Sequence, residues 1–280
     1  MRVNQTRDIP ALKAMCNQLR QDVIQMVHAA GSGHPGGSLS AVEFVAALYF
    51  DTLENLDPMN PRKADRDRFV LSKGHCCPIL YSVLARKGYF DVSHLTKLRE
   101  YGSILQGHPD MNKTPGVDIS SGSLGNGLSV GIGMALSARL KGLDYKVYVM
   151  MGDGEQQEGM VWEAAMCAAH HKVTNLIAIV DCNNLQIKGT INDVMSIEPL
   201  DKKWEAFGWA VIKVADGNDI EQVLNGLDQA KAAEGPVVIL AQTVKGKGIS
   251  FMENMADWHG MAPSDEQMGQ AMADLSKGGN

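Results

Sequence analysis

The sequence predicts an α/β fold of three layers, with a mostly parallel sheet held between two layers of helices. Beyond residue 145, short apolar β-rich runs alternate with segments of helical periodicity. That alternation makes successive strands parallel and lays the connecting helices over both sheet faces. At 280 residues, with 45% hydrophobic and 21% charged side chains, the chain can bury a sizeable core. Finally, Gly152-Asp153-Gly154 and Asp181-Cys182-Asn183-Asn184 each follow an apolar run directly. Parallel sheets bind ligands beyond the carboxyl ends of their strands, where both motifs fall.

The first helix is expected over 10–28, with Leu12, Met15, Leu19, Val23, Met26 and Val27 near one face. The glycine-rich stretch 31–38 ends it, and Ser40 stands where it would N-cap a second helix over 41–50. Residues 69–72 read as a short buried strand, with Lys73-Gly74-His75 as the turn beyond it. Cys76-Cys77 reads as a packed helix start rather than a redox pair. Helices follow over 78–87 and 92–101, joined through Gly88, then loops over 106–113 and 120–127. The second loop opens a helix over 128–141 that carries Gly131 and Gly133. Each of these glycines costs about 1 kcal/mol relative to alanine, which close packing of the backbone against a neighbour would justify.

The regular alternation then runs strand 145–151, helix 158–171, strand 175–181 and an irregular segment to Pro199. Helix 201–207, strand 209–214, helix 219–232 and strand 236–243 follow, and a long loop ends near Gly260. One domain is expected over 1–263, with a tail over 264–280 whose last residues fray.

Composition excludes several functions. A net charge of −6 gives no electrostatic case for nucleic acid or an anionic membrane. No apolar run approaches the ~20 residues of a membrane span, and the first fifteen residues lack the layout of a secretory signal. The five cysteines are odd in number and scattered without CxxC spacing, which suits reduced intracellular thiols. A soluble cytoplasmic protein is the expectation. The 16 methionines are dispersed and read as adaptable packing.

The chemistry concentrates in two groups of residues. Asp153 and Asn183 would stand side by side at one sheet edge, an oxygen donor pair suited to a hard divalent cation. The glycines flanking Asp153 let a diphosphate approach the backbone. Of eight histidines, four touch a glycine in loops: His34, His75, His108 and His259. Imidazoles held in such loops are poor core material and good site material. These four could hold zinc, but the Asp/Asn and diphosphate pattern suits magnesium better, with calcium or manganese as substitutes. His28, His94, His170 and His171 fall in predicted helices and read as solvated or packed.

Seven stretches, in order, resemble the N-terminal, diphosphate-binding region of transketolase. They are SGHPGGS at 32–38, RDRFVLSKGH at 66–75, GHPD at 107–110, SGSLGNG at 121–127, GDGEQQEG at 152–159, DCNNLQIKG at 181–189, and KGKG with WHG within 245–260. The resemblance implies the thiamine diphosphate-binding fold, with thiamine diphosphate and Mg2+ as cofactors. It implies Asp153, Asn183 and the Leu185 carbonyl as metal ligands, with Gly154 meeting the diphosphate. Lys73, His75 and Lys245 would lie near the diphosphate charge, Gly122 and Leu124 against the cofactor rings, and Ile187 on its thiazolium side. His34, His108 and His259 would face substrate hydroxyls and the reaction centre, with His75 among the catalytic imidazoles. The residue matching Glu158 lies at the family's subunit boundary and links two cofactor sites. Asn126 departs from the family's usual glutamine.

The resemblance also implies ketol transfer from a ketose (phosphate) to an aldose (phosphate). Family enzymes need a second, pyrimidine-binding domain, and no stretch after Gly260 is long enough to supply it. The expectation is therefore the N-terminal subunit of a split transketolase, joined to a separate C-terminal subunit in a heterotetramer. The α subunit of a 2-oxo acid dehydrogenase, a synthase joining pyruvate to a triose phosphate, and a non-catalytic cofactor-binding module remain as alternatives. The paired GHP loops and the SKGH segment argue against the dehydrogenase reading.

Overall fold

The computed structural model describes residues 7–277. Helix α1 (Ile9–Ala30) opens with Pro10 in its first turn and closes on Gly31 at φ 58°, the left-handed C-cap that glycine adopts without strain. Then come α2 (Pro35–Ser40), α3 (Val42–Ala47), strand β1 (Arg68–Leu71), α4 (Cys77–Arg86) and α5 (Asn126–Lys141). Strand β2 (Val147–Gly152) leads to α6 (Gly159–His170), and β3 (Leu176–Cys182) to the short pair β4 (Leu185–Gln186) and β5 (Gly189–Thr190). The chain ends through α7 (Ile191–Val194), α8 (Leu200–Ala206), β6 (Ala210–Val214), α9 (Ile220–Ala232), β7 (Val237–Gln242) and α10 (Asp265–Lys277).

The main sheet has the order β1-β2-β3-β7-β6, and every pairing in it is parallel. Strands β1, β2, β3 and β7 are buried on both faces, with side chains alternating between two cores, while β6 forms a largely exposed edge. Tyr148, Met150, Ile177 and Ile179 join the core beneath α1, α3, α4 and α9. Val147, Val149, Met151, Ala178 and Val180 join the core beneath α5, α6 and α8. This is the predicted α/β/α layering, with β2 and β3 as neighbours in register from Val147 and Leu176 to Gly152 and Asp181.

Several local expectations are corrected. The glycine-rich stretch does end α1, but its second half is itself helical, because Pro35 at the first helical position fixes the φ needed to start α2. Ser40 therefore ends a helix instead of capping one, and its hydroxyl donates to the Asp181 carboxylate at 2.7 Å. The helix expected over 92–101 is only a 3-10 segment, Val92–Lys97, cut off before Arg99 turns left-handed at φ 64°. The irregular segment before Pro199 contains the antiparallel β4–β5 pair and α7. Gly131 is closely packed, since a Cβ there would lie 2.4 Å from Val149, but Gly133 meets nothing and that justification fails for it.

The expected tail is also corrected from residue 265 onward. α10 packs on α1 and buries Ala271 and Leu275. Residues 278–280, where fraying is expected, and residues 1–6 lie outside the described residues.

Candidate active site

The carboxyl ends of β2 and β3 open into a cavity of about 300 Å³. Asp153, just past β2, is 5% exposed. Its two oxygens accept from the Asn184 N–H at 2.6 Å and the Gly154 N–H at 2.8 Å. Burial and the neighbouring Asp181 raise its carboxyl to about 6. Beside it, the Asn183 side-chain oxygen accepts from the Leu185 N–H at 3.1 Å. Lys245 donates to the Leu185 carbonyl at 3.0 Å and reaches His259 Nδ1 at 3.1 Å. Asp153, Asn183 and Leu185 line one cavity together with Lys73, His75, Gly122, Leu124, Gly154, Ile187, Lys245 and His259.

His34 and His108 stand next to that lining. The His34 ring centroid is 5.3 Å from His75, 5.4 Å from His259 and 6.5 Å from His108, and His75 is 5.2 Å from His259. Four loops distant in sequence thus bring all four glycine-flanked histidines into one cluster. At Gly122, φ is 142° and a Cβ would sit 2.8 Å from the His108 ring, so this loop needs glycine on both counts.

Burial, then mutual repulsion and nearby Arg99 or Lys245, lowers His34 to about 4. Burial and Lys73 lower His75 to about 4, and burial and Lys245 lower His259 to about 3. His108 is lowered for the same first reason, burial. These imidazoles are neutral at pH 7, fit to donate or accept a proton.

That neutrality has a stability consequence. The unfolded chain binds protons on these histidines below about 6.5, whereas the folded chain resists them until about 4. Folding stability is therefore expected to fall as pH drops from 6.5 toward 4. Asp153 and Glu155, both raised by burial, oppose this, but three strongly lowered imidazoles outweigh two carboxyls. Thermal melts at pH 7 and pH 5 check it, and an unchanged or higher midpoint at pH 5 would contradict the geometry.

Two residues beneath the site escaped the residue-by-residue reading. Asp181 is fully buried and receives Lys73 and Thr243, along with Ser40 Oγ at 2.7 Å and Asn183 Nδ2 at 3.2 Å. Lys73, 2% exposed, is thereby committed to Asp181 and also donates to the Gly37 carbonyl at 2.8 Å. Glu155, 2% exposed, accepts from the Ser72 hydroxyl, the Gly125 N–H at 2.9 Å and the Gly152 N–H at 3.1 Å. One carboxylate so ties together the ends of β1 and β2 and the loop that opens α5. The adjacency of Glu155 to GDG and of Asp181 to the Asn pair was their only sequence signal.

Among the described residues, no group of three or more His, Cys, Asp or Glu side chains is arranged to hold a metal. The donor set is instead one carboxylate, one amide and one carbonyl, which suits a hard cation whose shell a diphosphate completes. Gln186 Nε2 is buried without a partner in the same cavity wall, an orphaned donor that an anionic ligand would satisfy. The residues present fit a magnesium-bound diphosphate.

A family model described as "Transketolase, thiamine diphosphate binding domain" matches residues 11–276. An apulose-4-phosphate transketolase subunit of Phocaeicola vulgatus is 42% identical over 272 residues, spanning 96% of this chain and 95% of its own. A 6-deoxy-6-sulfo-D-fructose transketolase subunit of a Clostridium species is 44% identical, over 96% of this chain and 97% of its own. Rat transketolase is 43% identical over 90% of this chain but only 40% of its own length. The crystal structure of Campylobacter jejuni transketolase superposes with a TM-score of 0.91 at 33% identity, covering 96% of this chain and 43% of that one.

Proposed function

Because the chain belongs to the transketolase family through its thiamine diphosphate binding domain, we propose that it carries out ketol transfer together with a second, C-terminal subunit. The single observation that carries this reading is the histidine cluster seated over the Asp153–Asn183 strand ends, with the His34 ring centroid 5.3–6.5 Å from those of the other three. A cofactor-binding module without catalysis has no use for four neutral imidazoles around one cavity. The end-to-end match to chains named as transketolase subunits supports a partner chain. A two-plus-two heterotetramer in the cytoplasm is the assembly proposed.

Asp153, Asn183 and the Leu185 carbonyl would hold Mg2+, and Gly154 would meet the diphosphate. Lys245 would balance its charge at close range, with the committed Lys73–Asp181 pair beneath. Gly122, Leu124 and the exposed Ile187 would frame the rings. When bound, thiamine diphosphate supplies a nucleophilic carbon and an electron sink for breaking the bond beside a ketose carbonyl. The protein's part is to orient the sugar hydroxyls, exclude water and move protons. His34, His75, His108 and His259 converge where those hydroxyls would sit, neutral and within reach of one another. The substrate proposed is a ketose phosphate donor with an aldose phosphate acceptor, of the pentose phosphate kind.

Ketol transfer by the purified chain with thiamine diphosphate and magnesium, measured with and without a chain carrying the pyrimidine-binding domain, tests the proposal. Activity is expected only in the mixture. Full activity of the chain alone would refute the two-subunit reading, and decarboxylation of a 2-oxo acid would refute the reaction. In the active mixture, His259→Ala is expected to lower kcat by about 100-fold while changing thiamine diphosphate affinity only a few-fold. A loss confined to affinity would move His259 from the reaction to the cofactor.

A further inference from the structure

Arg99 belongs to none of the seven matched stretches, and it touches the histidine cluster from behind. Its backbone is left-handed at φ 64°, and its N–H donates to the Leu105 carbonyl at 2.9 Å, closing the loop over 99–105. The guanidinium donates to Ser32 Oγ through Nη1 and faces His34 Nδ1 at 3.4 Å through Nη2. Its Nε is buried without a partner. Gly107 makes room for it, since a Cβ there would come within 3.0 Å of Nε.

A guanidinium carries five donors and no acceptor. The ring nitrogen facing it can therefore only accept. If Nδ1 of a neutral imidazole accepts, its proton sits on Nε2. The rest of His34 is equally fixed: its carbonyl accepts from the Ser38 hydroxyl at 2.7 Å, and Pro35 follows it at the start of α2. Nε2 faces the turn at Gly260, where a Cβ would lie 3.5 Å away, on the side of the His75 and His259 rings.

We propose that Arg99 is a positioning residue that fixes His34 as the Nε2–H tautomer, so that His34 meets a substrate hydroxyl or developing alkoxide as a hydrogen-bond donor and does not act as the proton-accepting base. Proton removal then falls to another member of the cluster. The charged and titratable groups facing His34 are Arg99 behind it and His75, His108, His259 and Lys245 in front. The proposal rests on the ketol-transfer reading for its substrate, but the tautomer itself does not.

The test is a long-range proton–nitrogen correlation spectrum of the full chain labelled with 15N-histidine, with His34→Gln used to assign the signals. The two tautomers give distinct patterns, because protonated and bare ring nitrogens resonate far apart. Wild type is expected to show a bare Nδ1 and a protonated Nε2 for His34. Arg99→Met is expected to shift His34 toward Nδ1–H or a tautomer mixture, and Arg99→Lys, another donor without acceptors, to restore the wild-type pattern. With xylulose 5-phosphate and the partner chain present, Arg99→Met should lower kcat about tenfold, with Arg99→Lys recovering part of it and thiamine diphosphate affinity unchanged. An Nδ1–H His34 in wild type overturns the proposal, as does an Arg99→Met chain with the wild-type tautomer or wild-type kcat. Absence of ketol transfer in the wild-type mixture would refute the proposed function, while the spectrum would still decide the tautomer.

Discussion

Asp153→Ala is expected to abolish magnesium-dependent thiamine diphosphate binding, a loss of at least about 100-fold in affinity, while leaving the thermal midpoint nearly unchanged. The two halves of this result have separate causes. Binding is lost because Asp153 is the only carboxylate in the donor set, and an amide with a carbonyl cannot balance a divalent charge. Stability is kept because the carboxylate is an uncomfortable one: burial and Asp181 raise it to about 6. Removing it frees the N–H groups of Gly154 and Asn184, which donate to it at 2.8 and 2.6 Å. Each lost hydrogen bond costs roughly 1 kcal/mol, and relief of the repulsion offsets part of that. Calorimetric titration with thiamine diphosphate and magnesium, beside a thermal melt, measures both. Binding as tight as wild type would overturn the metal assignment.

The parts of the molecule legible in the sequence are those set by local pattern. The continuous apolar runs of β2, β3 and β7 could only be strands buried on both faces, so the sheet and the layer on each side follow from periodicity. The acid and amide at neighbouring strand ends were legible for the same reason, since β2 and β3 run in register as far as Gly152 and Asp181. The sequence misled where a local signal met a tertiary one. Ser40 has the chemistry of a helix cap, but Asp181, 141 residues away, claims its hydroxyl. The segment from 265 is polar and methionine-rich, with only Ala271 and Leu275 fully buried, so its docking on α1 left a weak trace. Arg99 was illegible because its partners, Ser32 and His34, lie 67 and 65 residues upstream.

The Lys73–Asp181 pair is where fold and site meet, and Asp181→Ala is expected to be the most destabilising single change near the cavity. Asp181 is fully buried, and its carboxylate has four donors: Lys73, Ser40, Thr243 and Asn183. Burial alone would raise the Asp181 carboxyl, but the Lys73 ammonium and the two hydroxyls hold it below the usual range. Asp181→Ala leaves the Lys73 charge in the core without a counter-charge, an effect of about 3–5 kcal/mol, or a midpoint lowered by roughly 10 °C in a domain this size. The metal site should loosen with it. A carboxylate only accepts, so Asp181 turns the Asn183 NH2 toward itself and leaves the amide oxygen on the Leu185 side, available to a cation. Magnesium-dependent affinity is therefore expected to fall in a chain that still folds at low temperature. The double variant Lys73→Met with Asp181→Ala removes both charges and should recover part of the lost stability, yet not the Asn183 orientation or the cofactor affinity. Denaturant unfolding of the single and double variants measures the first effect, and titration with magnesium and thiamine diphosphate the second. If the double variant were as unstable as the sum of its single variants, the pair would not be coupled in the way its burial requires.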